Sequence, residues 1–506
     1  MESARTIARR TAWTGLIASA VVYQLFNAWI GVGANDTENL ESTLVYVAAG
    51  QFDLGPGSLY GPFSGSNPHV VIQAPLYYRL TWIAAKPLVA LGIDRIAATL
   101  AAGRTLSYLA LIALLVISGR IASSDGGSRI GAAWSVLMIA ASAVISSFPV
   151  SVRPDTLGIA LQTLGIALTI RGLNRRHRVD RDFIPPFIAF ALAFCVKQHL
   201  IVGWGLSIFI LIYEYLHKRI DLKTLVVPIA TAPAIVAVYF GIEQATTRGM
   251  LIESIFVIPG LLGQAAAGSW RYVATVFGEI AKRSVGLIAI AAAAIPPVFG
   301  LKKSFRTTDR YLAICLLLEI ALTIALCKKS SGAWYNYAMQ ATVCGSILAA
   351  RIVGSIDWGS IPLARLAPLC LATLALFVSD VRIVVKAARN RVDEQAALRY
   401  LLDDPRVAGR NRNERFFARL PQYNRMYGRD DAIVDDWLYA SYEAIHAVEP
   451  RSVWLKAKLT DGRIRLVVTP AWKSGEIPGL DEKLPELGYT HAARYGPYDV
   501  WERIGS

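Results

Sequence analysis

The chain has 506 residues, of which 54% are hydrophobic and only 18% charged, too apolar a balance for a soluble protein of this size; its main solvent is the bilayer. The net charge of +15 does not point to nucleic acid, because Lys and Arg cluster between apolar stretches, the pattern that encodes membrane topology, and no aromatic–basic surface motif accompanies them. The five cysteines, at positions 195, 315, 327, 344 and 370, lie in or beside apolar segments without CxxC spacing, which argues against a disulfide framework or a zinc site.

Segments of roughly 17 to 25 apolar residues are long enough to cross a bilayer, and in chain order they fall at about 12–33, 97–119, 131–150, 156–171, 183–198, 200–216, 223–241, 284–300, 310–327, 334–352 and 362–380. The first resembles a signal peptide, with Arg9 and Arg10 before it and Val32-Gly33-Ala34 after it, but an apolar stretch heading ten more spans reads as a retained anchor.

Pro75 to Gly92 is apolar but interrupted by Arg79, Lys86 and Pro87. If it crossed, the most basic loop, Arg171 to Arg178, would fall outside, against the positive-inside rule. Lying in the interface as an amphipathic helix, with Arg79 and Lys86 snorkelling, it sends every strongly basic loop to the cytoplasm. The same bookkeeping sends a set of polar segments to the outer face: Asp36 to Glu41, Tyr60 to Gln73, Arg153-Pro154-Asp155, Lys197-Gln198-His199, Gly241 to Arg283, Lys328-Lys329 through Tyr337, and the tail after residue 380. Several are basic on the side where the rule predicts few Lys or Arg, and an anionic ligand such as a phosphate is the simplest cause.

Asn35-Asp36-Thr37-Glu38 fits a capping box between Asn35 and Glu38, which leaves Asp36 in the turn before the helix, free to act as a general base on a hydroxyl; Glu38 and Glu41 are its acidic companions. Arg104 lies inside a span and needs a partner. Arg153-Pro154-Asp155 opens a span; it reads equally as a salt-bridged cap, Pro being tolerated there, and as a phosphate contact (Arg153) beside a group that orients it or binds a sugar hydroxyl (Asp155). Lys197-Gln198-His199 interrupts an apolar hairpin, where polar groups facing lipid cost several kcal/mol, so these residues are expected to face protein or a cavity. Lys328 and Lys329 anchor a span or bind a ligand. Trp334, Tyr335 and Tyr337 suit an aromatic belt, but Asn336 among them also suits a carbohydrate or a prenyl phosphate.

No cofactor is expected. Carboxylates at a sugar-phosphate site are the groups that hold a divalent ion, and Asp36, Glu38 and His199 are where one would be sought. The chain carries no Walker loop, dinucleotide-binding Gly pattern or Ser-His-Asp signal, which disfavours a nucleotide-driven pump. Beyond residue 380 the composition turns soluble: helical runs at 392–402, 432–447 and 480–487 alternate with β-like runs at 453–459, 465–468 and 499–504, and glycines 488 and 496 punctuate a final strand pair.

The acidic first loop, Gln73-Ala74-Pro75-Leu76-Tyr77-Tyr78, Gly103-Arg104-Thr105-Leu106-Ser107, Arg153-Pro154-Asp155, Lys197-Gln198 and Trp334-Tyr335-Asn336-Tyr337 together resemble the motifs of the GT-C superfamily of membrane glycosyltransferases. Within it they are most similar to the bacterial family 39-like group of aminoarabinose-transferase-like and protein-mannosyltransferase-like enzymes. The resemblance covers about residues 12–380. It implies a polytopic α-helical membrane protein with about eleven transmembrane helices, interfacial helices in the first outer loop and a small C-terminal α/β domain, divided as a catalytic module at 1–380 and an outer-face domain at 381–506. It also implies transfer of a sugar from a polyprenyl-phosphate carrier to an envelope acceptor at the outer face of the bacterial cytoplasmic membrane, with Asp36 as base, Glu38 beside it, and Arg104, Arg153, Asp155, Lys197, His199, Lys328, Lys329, Tyr335 and Asn336 as substrate-binding residues. Two features depart from the group: Thr37 separates the two acids, and Gln73-Ala74-Pro75 stands where many relatives carry Lys-Pro-Pro, so Arg153, Lys197, Lys328 or Lys329 supplies the missing charge. A transporter or flippase of lipid-linked sugars is the alternative; inverted repeats and paired Gly- or Pro-broken spans would favour it, and neither is evident.

Overall fold

A computed structural model describes residues 39–60, 71–146, 148, 149, 151–175, 180–260, 268–283, 307–329, 335–355, 382, 396, 397, 400–408, 415–417, 459, 460, 464–470, 483–496 and 498–504. The expected spans at 12–33, 284–300 and 362–380 lie outside the described residues, as do Asp36, Glu38 and the capping box. In chain order the main helices are α1 (Asn39–Leu54), α2 (Leu76–Ala90), α3 (Arg95–Ser123), α4 (Arg129–Ala141), α5 (Asp155–Leu173), α6 (Asp180–Val196), α7 (Val202–Leu216), α8 (Leu222–Thr246), α9 (Trp270–Arg283), α10 (Thr307–Lys329) and α11 (Met339–Gly354). Among the described residues α3, α5, α8 and α10 are long and apolar enough to cross a membrane, and the chain is a multi-pass membrane protein. Helices α4, α6, α7 and α11 have 13, 17, 15 and 16 residues, about 20–26 Å at 1.5 Å per residue, less than the ~30 Å hydrocarbon core. The expected continuous span at 131–150 is broken: Ser142 leaves the helical region at ψ 119° and a short helix, Ala143–Ser146, follows.

The chain forms two compact units. One comprises Met1–Trp29, Thr105–Gly241 and Gly268–Lys386, the other Ile30–Arg104, Ile242–Ala267 and Ala387–Ser506.

In the first unit the apolar core is built from α5, α6, α7, α10 and α11 and the part of α3 beyond Arg104. Glycines 158, 165 and 172 recur every seven residues along α5, and a Cβ at Gly165 would lie 2.4 Å from the Phe190 ring, one at Gly172 2.8 Å from Phe183. This bare stripe lets the Phe183–Phe187–Phe190 ridge of α6 reach the α5 backbone, the close approach that small residues permit where no hydrophobic force separates helix from lipid. Gly165→Val is therefore expected to overpack this seam at a cost of about 1–3 kcal/mol; an unchanged unfolding midpoint in detergent would contradict the assignment. Buried Arg351 of α11 binds Asp309 (2.6 Å) and donates to the carbonyls of Ile121, Ala122 and Ser124 at 3.1, 3.3 and 2.5 Å. It thus satisfies the orphan acceptors at the end of α3.

In the second unit, α2 occupies Leu76–Ala90 as expected, but Arg79 does not snorkel. It is buried and held by Glu243 near the end of α8 (Nε–Oε1 2.9 Å, Nη2–Oε2 2.6 Å), by the Gln51 amide oxygen of α1 and by the Pro56 carbonyl at 2.7 Å. A bidentate carboxylate with two further acceptors meets the guanidinium fork better than solvent at a low-dielectric boundary. Lys86 is exposed, with its ammonium 3.7 Å from the centre of the Trp82 ring.

The tail contributes strands β1 (Arg415–Phe417), β2 (Leu466–Pro470), β3 (Tyr489–Tyr495) and β4 (Tyr498–Arg503) in the order β1-β2-β4-β3. β1 runs parallel to β2 and the other pairs are antiparallel. Leu466, Val468 and Val500 point to a cluster with Leu401 and Val407, while Val467 and Tyr489 meet Leu459, Ile464 and Leu484, so alternate residues cover both faces of the sheet. Two expectations for the tail change, and one strand was not expected at all. Leu459, expected to end a strand, is helical; the helical run at 480–487 is, where described, mainly a 3-10 turn, Pro485–Leu487, opened by a proline without an N–H; and β1 has no alternating signal in its three residues.

Candidate functional site

Asp155 is the first residue of α5. Pro154 caps the helix in the αR region, its fixed φ suiting a helix start, and this sets the Asp155 carboxylate at the positive end of the helix dipole. Lys197 follows the last residue of α6, where the apolar hairpin breaks. Asn336 comes from the 3-10 turn Tyr335–Ala338 that leads into α11. These three segments, far apart in sequence, meet in the first unit.

Asp155 is fully buried. Its Oδ1 accepts from the Lys197 ammonium and from Asn336 Nδ2 at 3.0 Å, and its Oδ2 lies 3.4 Å from Arg153 Nε. Lys197, 3% exposed, Arg153 and Asn336, both 8% exposed, complete a nearly dry cluster. Aromatic rings wall it: the Arg153 guanidinium lies 4.7 Å over Phe148, the Lys197 ammonium 5.0 Å over Tyr337, and the His199 ring 4.5 Å from that of Tyr337. These faces carry negative quadrupole charge suited to cations. The Ser107 hydroxyl donates to the Arg153 carbonyl at 3.2 Å, tying the loop to α3.

Arg153, Asp155, Lys197 and Asn336 are thus brought together, with His199 beside them. The salt bridge expected of Arg153-Pro154-Asp155 is present, with two cations, Arg153 and Lys197, on one carboxylate. Lys328 is engaged elsewhere, donating to the Gly268 carbonyl at 3.0 Å with its ammonium 5.0 Å over Trp270. Lys329 is exposed at the end of α10, where both lysines complement the helix dipole. Tyr335 belongs to the turn that carries Asn336. Arg104 is buried, 1% exposed, and belongs to the second unit. Asp36 and Glu38 lie outside the described residues. Among the described residues no three His, Cys, Asp or Glu side chains gather as metal ligands do.

Sequence reasoning overlooked Phe148 as a wall of the site and Gln162 and Glu319 as a buried pair inside the bundle (Nε2–Oε1 2.5 Å). The signal for the pair was present, because an acid in the middle of the apolar stretch 310–327 requires a partner.

No protein-family model and no curated protein sequence matches the chain. Solved structures do. ArnT from Cupriavidus metallidurans bound to undecaprenyl phosphate is similar with a TM-score of 0.64 at 13% identity, over 98% of this chain and 99% of that one. The same protein in the apo state gives 0.62 at 13% identity, over 97% and 98%. The archaeal oligosaccharyltransferase AglB from Archaeoglobus fulgidus, in complex with an inhibitory peptide and a dolichol-phosphate, gives 0.54 at 13% identity, over 95% of this chain and 74% of that one. The motifs read from the sequence and these likenesses agree: the chain has the GT-C fold, shared with ArnT and AglB.

Proposed function

We propose that the protein is a membrane glycosyltransferase that moves a sugar from a polyprenyl-phosphate donor to an envelope acceptor at the outer face of the bacterial cytoplasmic membrane. The observation that carries this reading is the GT-C fold over essentially the whole chain, with ArnT similar over 97–98% of it in two structures. That the ArnT and AglB structures hold undecaprenyl phosphate and a dolichol-phosphate supports a lipid-phosphate partner here.

The chemistry is a single displacement. Asp36, with Glu38 beside it, takes the proton of the acceptor hydroxyl; the hydroxyl oxygen bonds to the anomeric carbon as the bond from that carbon to the phosphate oxygen breaks, and polyprenyl phosphate leaves with the electron pair. A phosphate needs little acid assistance, so one carboxylate and a cationic patch suffice, unlike glycoside hydrolysis with its paired carboxylates. Arg153 and Lys197 are the cations assigned to the phosphate. They share Asp155, so the cluster retains one positive charge in excess, preorganised by burial for an anion. Residues 1–380 form the catalytic module, and the soluble domain at 381–506 lies on the outer face.

The test uses the full chain in lipid nanodiscs with undecaprenyl-phosphate-linked sugars and extracted envelope lipids and glycans. The expected result is release of undecaprenyl phosphate in step with sugar transfer. Movement of the intact donor between leaflets without its cleavage would sink the enzyme reading and favour a flippase.

A further inference from the structure

Glu319 lies in the middle of α10, about 15–18 Å from either end of the helix at 1.5 Å per residue, and is 3% exposed. Tyr311, Cys315, Glu319, Thr323 and Cys327 recur at every fourth position and are all buried, while Ile314, Leu317 and Leu318 are exposed. One stripe of α10 therefore faces the bundle. There the Glu319 side chain meets one hydrogen-bond partner among the described residues, the amide of fully buried Gln162 on α5, with Nε2 donating to Oε1 at 2.5 Å. Gln162 Oε1 is buried with no donor among the described residues. The packed elements also carry Tyr311, Cys315 and Cys327 on the same stripe of α10 and Cys344 on α11, the Asp155, Arg153 and Lys197 cluster at the start of α5, and, toward the helix ends, Asp309, Arg310, Lys328 and Lys329 on α10, Arg171 on α5 and Arg351 on α11. Among the described residues no cation forms an ion pair with Glu319.

An ionised carboxylate there would face one neutral donor in a medium where an isolated charge is prohibitively costly. A carboxylic acid avoids that cost and adds the one donor the pair lacks. We propose that Glu319 is an uncharged, proton-bearing acid whose contact with Gln162 positions α5 against α10, and through them Asp155 against Asn336. The connections are local. Gln162 is seven residues, two helical turns, beyond Asp155 on the same face of α5. Thr323, one turn beyond Glu319, places its single hydroxyl donor between the Glu319 carbonyl at 2.8 Å and the Tyr337 carbonyl at 3.2 Å, next to Asn336. Loss of the Glu319 proton places an unbalanced anion between the two helices that frame the site.

The functional half of this proposal rests on the glycosyltransferase reading; its physical half does not, and the experiment separates them. Infrared spectra of the full chain in deuterated buffer at neutral pH are expected to show a carboxylic-acid C=O band that Glu319→Gln removes. Because the folded state holds a proton that the unfolded chain releases above about pH 4.3, the unfolding midpoint of the wild type relative to Glu319→Gln should fall as pH rises. In the transfer assay Glu319→Gln should stay near wild type, while Glu319→Ala loses roughly ten- to a hundredfold in kcat through misplacement with the donor KM little changed. Absence of the band, or a midpoint difference that does not vary with pH, overturns the proton assignment whatever the reaction. Equal losses in the Gln and Ala variants overturn the positioning role.

Discussion

Asp155→Ala is expected to cost about 3–5 kcal/mol of stability, because removing one partner from a buried ion pair strands the others without compensation. Two cations are stranded here. Lys197 at 3% exposure and Arg153 at 8% would keep their charges away from water beside the rings of Tyr337 and Phe148, and the Asn336 amide would lose its acceptor. Asp155→Asn should rank between wild type and Ala, since it keeps an oxygen for Lys197 but not the charge. The double variant Asp155→Asn with Lys197→Met should recover part of the loss, because an apolar stem of similar length replaces a stranded ammonium. Thermal unfolding of the wild type, Asp155→Asn, Lys197→Met and the double variant in detergent measures the coupling. An additive cycle, with no recovery in the double variant, would show that Lys197 does not depend on Asp155 and that the cluster is not the unit described. Donor binding gives a second readout: Lys197→Met and Arg153→Ala should each weaken the apparent affinity for undecaprenyl-phosphate sugar, and an unchanged affinity in both variants removes these residues from the phosphate site.

Asp36→Asn is expected to reduce kcat by about 10²–10⁴-fold, the usual contribution of a positioned general base, while the protein inserts and unfolds as wild type does. Asn retains the shape and a hydrogen-bonding oxygen but takes no proton. Glu38→Gln should have the smaller effect, because Glu38 fits the helix cap with Asn35. Near-wild-type transfer by Asp36→Asn, measured with the same donor and acceptor, would remove Asp36 from the role of base.

Much of the architecture was legible before any tertiary contact. Residues 97–119, 156–171, 223–241 and 310–327 read as spans because a bilayer imposes a length and a polarity on each helix separately, and the helices Arg95–Ser123, Asp155–Leu173, Leu222–Thr246 and Thr307–Lys329 contain them. The helix at 76–90 was legible from its apolar run, and the strand pair from its turn glycines 488 and 496. Ser142 shows the limit: apolarity extends through 131–150, but hydropathy does not register a single residue leaving helical geometry.

Charge partners required the folded chain. Composition alone determines that this is a membrane protein, and motif order determines its likeness to the GT-C enzymes; residue type and placement single out Arg153, Asp155, Lys197 and Asn336 as polar groups too costly to leave against lipid. Only the tertiary structure decides that these four gather around the one carboxylate of Asp155, that Arg79 turns inward to Glu243, 164 positions away, and that Glu319 meets Gln162 across 157. The physical reason is that desolvation is a property of each residue where it stands, and so can be read along the chain. The compensation of a buried charge depends on which segments are brought within about 4 Å, and that is settled by packing.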